Sequence, residues 1–322
     1  MRYGFGIRLA ATLALKPETR HLKPCLNGAT LVTPFTPTTD VRPTLLAVLA
    51  HPDDESFGTG GTLARYSWMG AHVHLICATG GEEGSFDPKY LKGYASITER
   101  RHAELACAAA ALGLTSVTLL GYRDSGMAGT PANQHPEALA AQALESVAAR
   151  ITAHIRRLKP QVVVTFDPIG GYRHPDHIAI QRATVAAFHA AGDPAAFPGA
   201  EPPWQPQKLY FQTFSRTLLR AVVRLMPLFG RDPRRFGRNH DIDFASLAEV
   251  EFPIHARIDY LPVVAARLAA ARCHASQGGE QFARGPLAWY SHVFGGNESY
   301  MRAFPEAAYG LRERDLFEGV NW

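Results

Sequence analysis

The chain has 322 residues, 46% of them apolar and 19% charged, with a formal net charge of +4. That balance is ordinary for a globular protein, and so mild a charge argues against a nucleic-acid binder. No apolar run approaches the roughly 20 residues that a membrane span needs, and the length suits one large domain.

Residues 1–42 read as a flexible N-terminal extension. Their apolar stretch Leu9–Leu15, bounded by Arg8 and Lys16, is short for a signal-peptide core, and no small-residue cleavage pattern follows it. Residues 43–322 read as a single domain. Thr44–Ala50 is a predicted strand, Thr62–Met69 a helix and His72–Ala78 a strand. Ile97–Leu112 is a helix closed by Gly113, Ser116–Leu120 a strand and Pro136–Leu158 a long helix. Gln161–Phe166 is a fourth strand and His177–Ala190 the helix after it. The proline-dense residues 192–207 form a connector, because proline supplies no N–H to a ladder or a helix interior. Leu209–Phe214 is a further strand, Glu249–Ile254 a late strand and Tyr260–His274 a final helix. Strands alternating with helices predict an α/β fold: a Rossmann-like three-layer sandwich with a mainly parallel sheet, plus a C-terminal insertion or lid region.

The arginine-rich stretch 215–245 is open to three readings: a solvated insertion or oligomer contact, a lid recognising an anionic or bulky substituent, and a peripheral membrane contact. The four cysteines Cys25, Cys77, Cys107 and Cys273 show no CxxC spacing. They are expected to be reduced and mostly buried, which favours a cytoplasmic setting.

Each of the first four strands runs into a polar, glycine-containing segment: "HPDDESFGTGG", "TGGEEGS", "GYRDSGM" and "FDPIGGYRHPDH". A parallel sheet puts all four on one rim, where ligands bind in such folds. In the first segment His51 and Asp54 are three apart around a proline; in the fourth, His174 and His177 are. That spacing lets two side chains point the same way on a first helical turn, where proline also fits. Two such pairs can supply two imidazoles and a carboxylate to a divalent cation. A cation among them would also relieve the repulsion between Asp53, Asp54 and Glu55. Three other classes are weighed. A dinucleotide-binding module is disfavoured, because three carboxylates precede Gly58 and Gly60 and the third glycine position falls on Leu63. A non-haem iron oxygenase uses the same ligand types, but Asp53 argues for hydrolysis. A vestigial site in a binding protein is disfavoured by the intact ligand set.

On "AHPDDE", "GGEEG", "RRHAELACAAAALGL", "LGYRDSGM", "GGYRHPDH" and "ARCHASQ", the chain resembles the LmbE/PIG-L-like zinc-dependent N-acetylglucosamine deacetylases. These motifs run from Leu45 to about Gly279. "RDSGMAGTPANQHP" is most similar to the GlcNAc-inositol deacetylases and thiol-conjugate amidases of low-molecular-weight thiol metabolism. The resemblance implies hydrolysis of the N-acetyl amide of a GlcNAc conjugate, or of an amide in a glucosaminyl thiol conjugate. It implies His51, Asp54 and His177 as ligands of Zn2+, with Fe2+ compatible with the same set. It implies Asp53 as general base toward the attacking water. His174 is then the group that stabilises the oxyanion or protonates the amine, Tyr172 an oxyanion donor, and Asp176 a partner that orients a histidine. Arg101 and Asp124 match positions that bind sugar hydroxyls. Each has a rival reading: Arg101 pairing with Glu104 or Glu82, Asp124 capping a turn before Ser125 and Gly126. Glu55 reads as a supporting or capping residue, and Glu82 and Glu83 as residues that order their own loop. His274 and Gln277 either reach the site or close the last helix. The expected partner is a small GlcNAc conjugate, with neither nucleic acid nor an integral membrane segment; a homo-oligomer is compatible with this reading.

Overall fold

The computed structural model describes residues 12–13, 42–214, 216–235, 243–284 and 296–322. Its strands are β1 (Thr12–Leu13), β2 (Thr44–Leu49), β3 (His72–Thr79), β4 (Ser116–Tyr122), β5 (Val162–Phe166), β6 (Lys208–Thr213), β7 (Ala256–Asp259) and β8 (Asn297–Phe304). They form one sheet in the order β1-β4-β3-β2-β5-β6-β8-β7. β4, β3, β2, β5 and β6 are parallel to one another, while β8, β7 and the short β1 add antiparallel at the two edges. Every residue of β2 and of β5 is buried. Unbroken apolar runs such as "LLAVL" and "VVV" therefore replace the alternation of a one-sided sheet.

The helices are α1 (Asp54–Phe57), α2 (Gly60–Trp68), α3 (Ile97–Leu112), α4 (Leu144–Leu158), α5 (Gly170–Arg173), α6 (Pro175–Ala190), α7 (Arg216–Leu225), α8 (Phe244–Glu249), α9 (Val264–Cys273) and α10 (Gly279–Arg284). α2, α3 and α9 pack together as one layer; α4 packs on α6, which lies on β2 and β5, as the other. The α/β sandwich read from the sequence is therefore the observed architecture. The chain winds outward from β2 through β3 to β4, then restarts on the far side of β2 with β5 and β6. The order reverses between β2 and β5, so the segments leaving those strands diverge and leave a crevice between them. These are the segments that carry "HPDDE" and "GGYRHPDH".

Several elements differ from expectation. The helix expected over Pro136–Leu158 starts only at Leu144. Residues 136–143 instead run beside the segment after β4, where Arg123 N donates to Glu137 O (3.1 Å) and Leu139 N donates to Arg123 O (2.9 Å). The strand expected over Glu249–Ile254 is not formed; α8 ends at Glu249 and β7 begins at Ala256, past Pro253, which has no N–H to donate. Of residues 1–42, only Thr12, Leu13 and Arg42 are described. Thr12 and Leu13 pair with Thr118 and Val117 of β4, and the rest of the expected extension lies outside the described residues. Residues 192–207 form neither helix nor strand. Trp204 fastens them to the domain by donating Nε1–H to Pro160 O (2.7 Å). Of the arginine-rich stretch, Ser215 and residues 236–242 lie outside the described residues.

The expectation of reduced cysteines is corrected at two of the four. Cys107 of α3 and Cys273 at the end of α9 form a disulfide, with Cα atoms 5.7 Å apart. The pair is 166 residues apart in the chain and meets only because α3 and α9 pack side by side. Cys77 is free and buried, and Cys25 lies outside the described residues. The argument from thiols to a reducing compartment thus loses its footing. Among the described residues, no helix is long and apolar enough to cross a membrane.

Candidate active site and metal centre

The segment after β2 turns tightly enough to fold its side chains back on its backbone. His51 N donates to Asp54 Oδ2 (2.7 Å) and Asp54 N to His51 O (3.3 Å). Asp53 sits between them at φ 131°, a left-handed conformation that strains any L-residue. Across the crevice, Asp167 at the end of β5 gathers the next loop. Its Oδ1 accepts from Ile169 N (3.1 Å) and Gly171 N (2.8 Å). Gly170 has φ 65°, and a Cβ there would lie 2.7 Å from the Cβ of His177, so glycine is needed for the loop to close on that histidine. α6 then starts at Pro175 with His174 as its cap, Nδ1 accepting from Asp176 N (3.2 Å).

Three ligand-type groups converge from these two segments. His51 Nδ1 lies 3.1 Å from His177 Nε2 and 3.5 Å from Asp54 Oδ2; His177 Nε2 lies 3.4 Å from Asp54 Oδ1. Tetrahedral zinc with bonds of about 2.0–2.1 Å requires ligand atoms about 3.3 Å apart; the two histidine nitrogens stand close to that spacing, and Asp54 faces each of them with a different oxygen. The outer nitrogens favour the same reading. His177 Nδ1 faces Gly170 O (3.2 Å), which only accepts, so that nitrogen carries the proton and Nε2 presents a lone pair. His51 Nε2 faces Asp176 Oδ2 (3.1 Å) and Asp124 Oδ1 (3.6 Å), again acceptors. Lone pairs and a carboxylate pointing at one another require a cation between them, either a proton on His51 or a metal ion. Ligand atoms of His51, His174 and His177 also lie within 4.8 Å of one another, as do those of His51, Asp124, His174 and Asp176. His174 differs from the other two histidines in that its Nδ1 already accepts a backbone N–H.

Electrostatics follow from this geometry. Burial alone would push His51 down, but Asp124, Asp176 and Asp54 outweigh it and hold it well above the usual histidine value. Asp54 shows the converse: burial would raise it, yet His177 and His51 keep it below the usual carboxylate range. Asp53 is raised to about 6, because burial and the charge of Asp54 outweigh the pull of Arg101. His174 is lowered to about 3, by burial first and then by His51 and His177, so it is a neutral ring with its proton on Nε2. Burial pushes the Tyr172 hydroxyl upward, which keeps it a donor. The Tyr172 ring stands 4.9 Å from that of His177 and 5.8 Å from that of His174.

The other residues singled out from the sequence have these surroundings. Asp176 is fully buried and accepts from Ser125 N (2.9 Å) and from Ser125 Oγ. Arg101 pairs with neither Glu104 nor Glu82; its guanidinium donates to Gly81 O, to Pro52 O (2.6 Å) and to Asp53 Oδ2 (2.9 Å). Asp124 accepts from Gly126 N (2.8 Å) and Glu83 N (3.3 Å), so it caps the turn and presses on His51 as well. Gln277 N donates to His274 O (3.0 Å) at the turn that closes α9. Sequence reasoning missed Ser125, Gly170 and the bond from Arg101 to Asp53; none has a spacing signal.

A family described as PIG-L, GlcNAc-PI de-N-acetylase, matches residues 46–188. A relative from Thermomonospora curvata, 1D-myo-inositol 2-acetamido-2-deoxy-alpha-D-glucopyranoside deacetylase, is 42% identical over 72% of this chain and 80% of its own. Among solved structures, the N,N'-diacetylchitobiose deacetylase of Pyrococcus horikoshii is 20% identical with a TM-score of 0.54, covering 80% of this chain and 83% of its own. The 4-carboxy-2-hydroxymuconate hydratase of Pseudomonas putida is 19% identical with a TM-score of 0.55, covering 84% and 99%. Those two structures share the fold while their names state different reactions, so the fold alone does not choose between them. The relative from Thermomonospora curvata is similar at a level that does: together with the family match that spans both histidine segments, it places this chain in the PIG-L family of de-N-acetylases.

Proposed function

We propose that the protein removes the acetyl group from an N-acetylglucosaminyl inositol, giving acetate and the free amine in a metal-dependent hydrolysis. The observation that carries this reading is the convergence of His51 Nδ1, His177 Nε2 and Asp54 on one point, with the Asp53 carboxylate alongside. The substrate is taken from the activity named for the relative at 42% identity. His51, Asp54 and His177 would hold the ion, with zinc the proposed metal and Fe2+ compatible with the same donors. Such an ion polarises the amide carbonyl and makes a water molecule acidic enough to attack near neutral pH.

The chain's own groups account for the rest. Asp53, with Oδ2 held by Arg101, takes a proton from the attacking water. His174 donates Nε2–H to the carbonyl oxygen as it becomes negative, and the Tyr172 hydroxyl is a second donor beside it. A neutral His174 has no spare proton, so the amine receives its proton from Asp53. Asp176 keeps the His51 ring turned with Nδ1 inward. Arg101 and Asp124 stand beside the reacting centre, and sugar hydroxyls binding there would share their present hydrogen bonds. A cytoplasmic setting belongs to the same proposal, although the Cys107–Cys273 disulfide is of a kind rare in a reducing compartment; fractionation of cells expressing the full chain tests it.

The deciding experiment measures acetate release from GlcNAc-inositol and metal content on one preparation. The expected result is turnover that chelation abolishes and Zn2+ restores. Failure of the metal-loaded protein to release acetate from GlcNAc-inositol would overturn the reading.

A further inference from the structure

Glu55 and His274 take no part in the chemistry above, yet both are completely buried. His274 Nε2 lies 2.6 Å from Glu55 Oε1, joining the end of α9 to α1 across 219 residues of chain. An ionisable pair this deep carries a large desolvation penalty, so packing alone is a poor reason for it. His274 Nδ1 has no hydrogen-bond partner among the described residues, so the ring's hydrogen bonding is directed at Glu55.

The other oxygen of Glu55 shows what the pair holds. Glu55 Oε2 accepts the backbone N–H of Asp53 (3.0 Å), while Oε1 also accepts from Ser56 Oγ (2.5 Å). Asp53 is the residue with φ 131° and ψ −27°. Such a backbone is strained and persists only where its surroundings over-determine it. Its carbonyl is secured within α1, accepting from Ser56 N and Phe57 N (2.9 Å each). Its N–H depends on Glu55. Glu55 in turn is held by Ser56 and, from outside its own helix, by His274, which is clamped through its own backbone to Ala271, Gln277 and Gly279 and by the edge of the Phe57 ring at 5.9 Å.

We propose that Glu55 and His274 are positioning residues for Asp53: the pair holds the strained peptide that aims the Asp53 carboxylate beside the metal centre. This rests on the reading of Asp53 as the base. Without the imidazole, Glu55 turns away, the Asp53 peptide relaxes, and the carboxylate swings off the water it should deprotonate. The metal ligands and the sugar-binding surface stay in place, so the loss falls on turnover.

The test compares wild type, His274→Ala and His274→Gln in the full chain, reading kcat and KM on GlcNAc-inositol with metal content on the same samples. His274→Ala should lose about a hundred-fold in kcat, the scale of a misplaced reacting group, with KM and metal content unchanged. His274→Gln, whose amide N–H reaches where Nε2 sits, should recover about ten-fold of that loss. Unchanged kcat in His274→Ala overturns the proposal, as does a parallel loss of bound metal or a rise in KM. So does a glutamine variant no better than alanine. Should the alanine variant not fold, Glu55→Gln carries the test: it keeps an oxygen for the Asp53 N–H and should stay within about ten-fold of wild type. A hundred-fold loss in folded Glu55→Gln overturns the proposal. An inactive wild type would sink the proposed function; an active wild type with a fully active His274→Ala sinks only this inference.

Discussion

As the proposed base, Asp53 must be an anion to accept a proton, so its titration should set the acid limb of activity. Burial leads in raising it to about 6, ahead of the opposing charge of Arg101. A bound cation would favour the anion and move that value down. The expected kcat/KM profile therefore falls as pH drops through a value at or below 6, and is flat just above it. Asp53→Asn should keep its metal, lose the limb, and lose roughly 10²–10⁴ in kcat, the usual worth of a positioned base. A limb above pH 7, or a fully active Asp53→Asn, would refute the assignment. The residues of this centre were legible in unequal degree. "HPDDE" and "HPDH" are each local, and a spacing of three says which side chains can share a direction. The bonds from Arg101 to Asp53 and from Ser125 to Asp176 cross 48 and 51 residues of chain. No periodicity carries information over such a gap.

At the scale of elements, strands buried on both faces were readable because they are unbroken apolar runs between turn signals. β8 was not. "NESYMRAF" has no alternation, and its buried positions include Glu298 and Ser299. The reason is that β8 works as a cap for another element. Glu298 accepts from Gly61 N (2.9 Å) and Thr62 N (2.7 Å) at the start of α2, and Arg267 of α9 balances its charge through Nε (3.2 Å). α2 has no side-chain cap of its own, so this borrowed carboxylate satisfies N–H groups that would otherwise be buried bare. Glu298→Ala should therefore cost about 3–5 kcal/mol, since it strands two N–H groups and takes the counter-charge from the buried Arg267 guanidinium. Glu298→Gln, which keeps one acceptor, should cost about 1–3 kcal/mol. Urea unfolding measures both, and a loss below about 1 kcal/mol for the alanine variant would show that the cap is dispensable.

At the scale of the whole molecule, the reversal of strand order at β2 brings two distant histidine segments together. Alternation of strands and helices foretold a mainly parallel sheet with both segments on one rim, but it carries no strand order. The contact of α3 with α9 was beyond reach of that rule, because α9 follows the antiparallel edge and no crossover constrains where it docks. That contact sets Cys107 against Cys273, and it is also where Ser276 N donates to Glu104 Oε1 (2.9 Å). The disulfide closes a loop across 166 residues of chain and so restricts the unfolded state strongly. Reduction should lower stability by about 2–4 kcal/mol. The bond itself is open to direct count: the chain has four cysteines, so denatured but unreduced protein should expose at most two reactive thiols, Cys77 among them, and reduced protein all four. Four reactive thiols before reduction would refute the bond. With the bond present, a Tm that falls on adding reductant to wild type, but not to a Cys107→Ser/Cys273→Ser variant, would assign the loss to this crosslink. The helix pair bearing Arg101 and Glu104 on one side and His274 on the other would then be tied covalently behind Asp53.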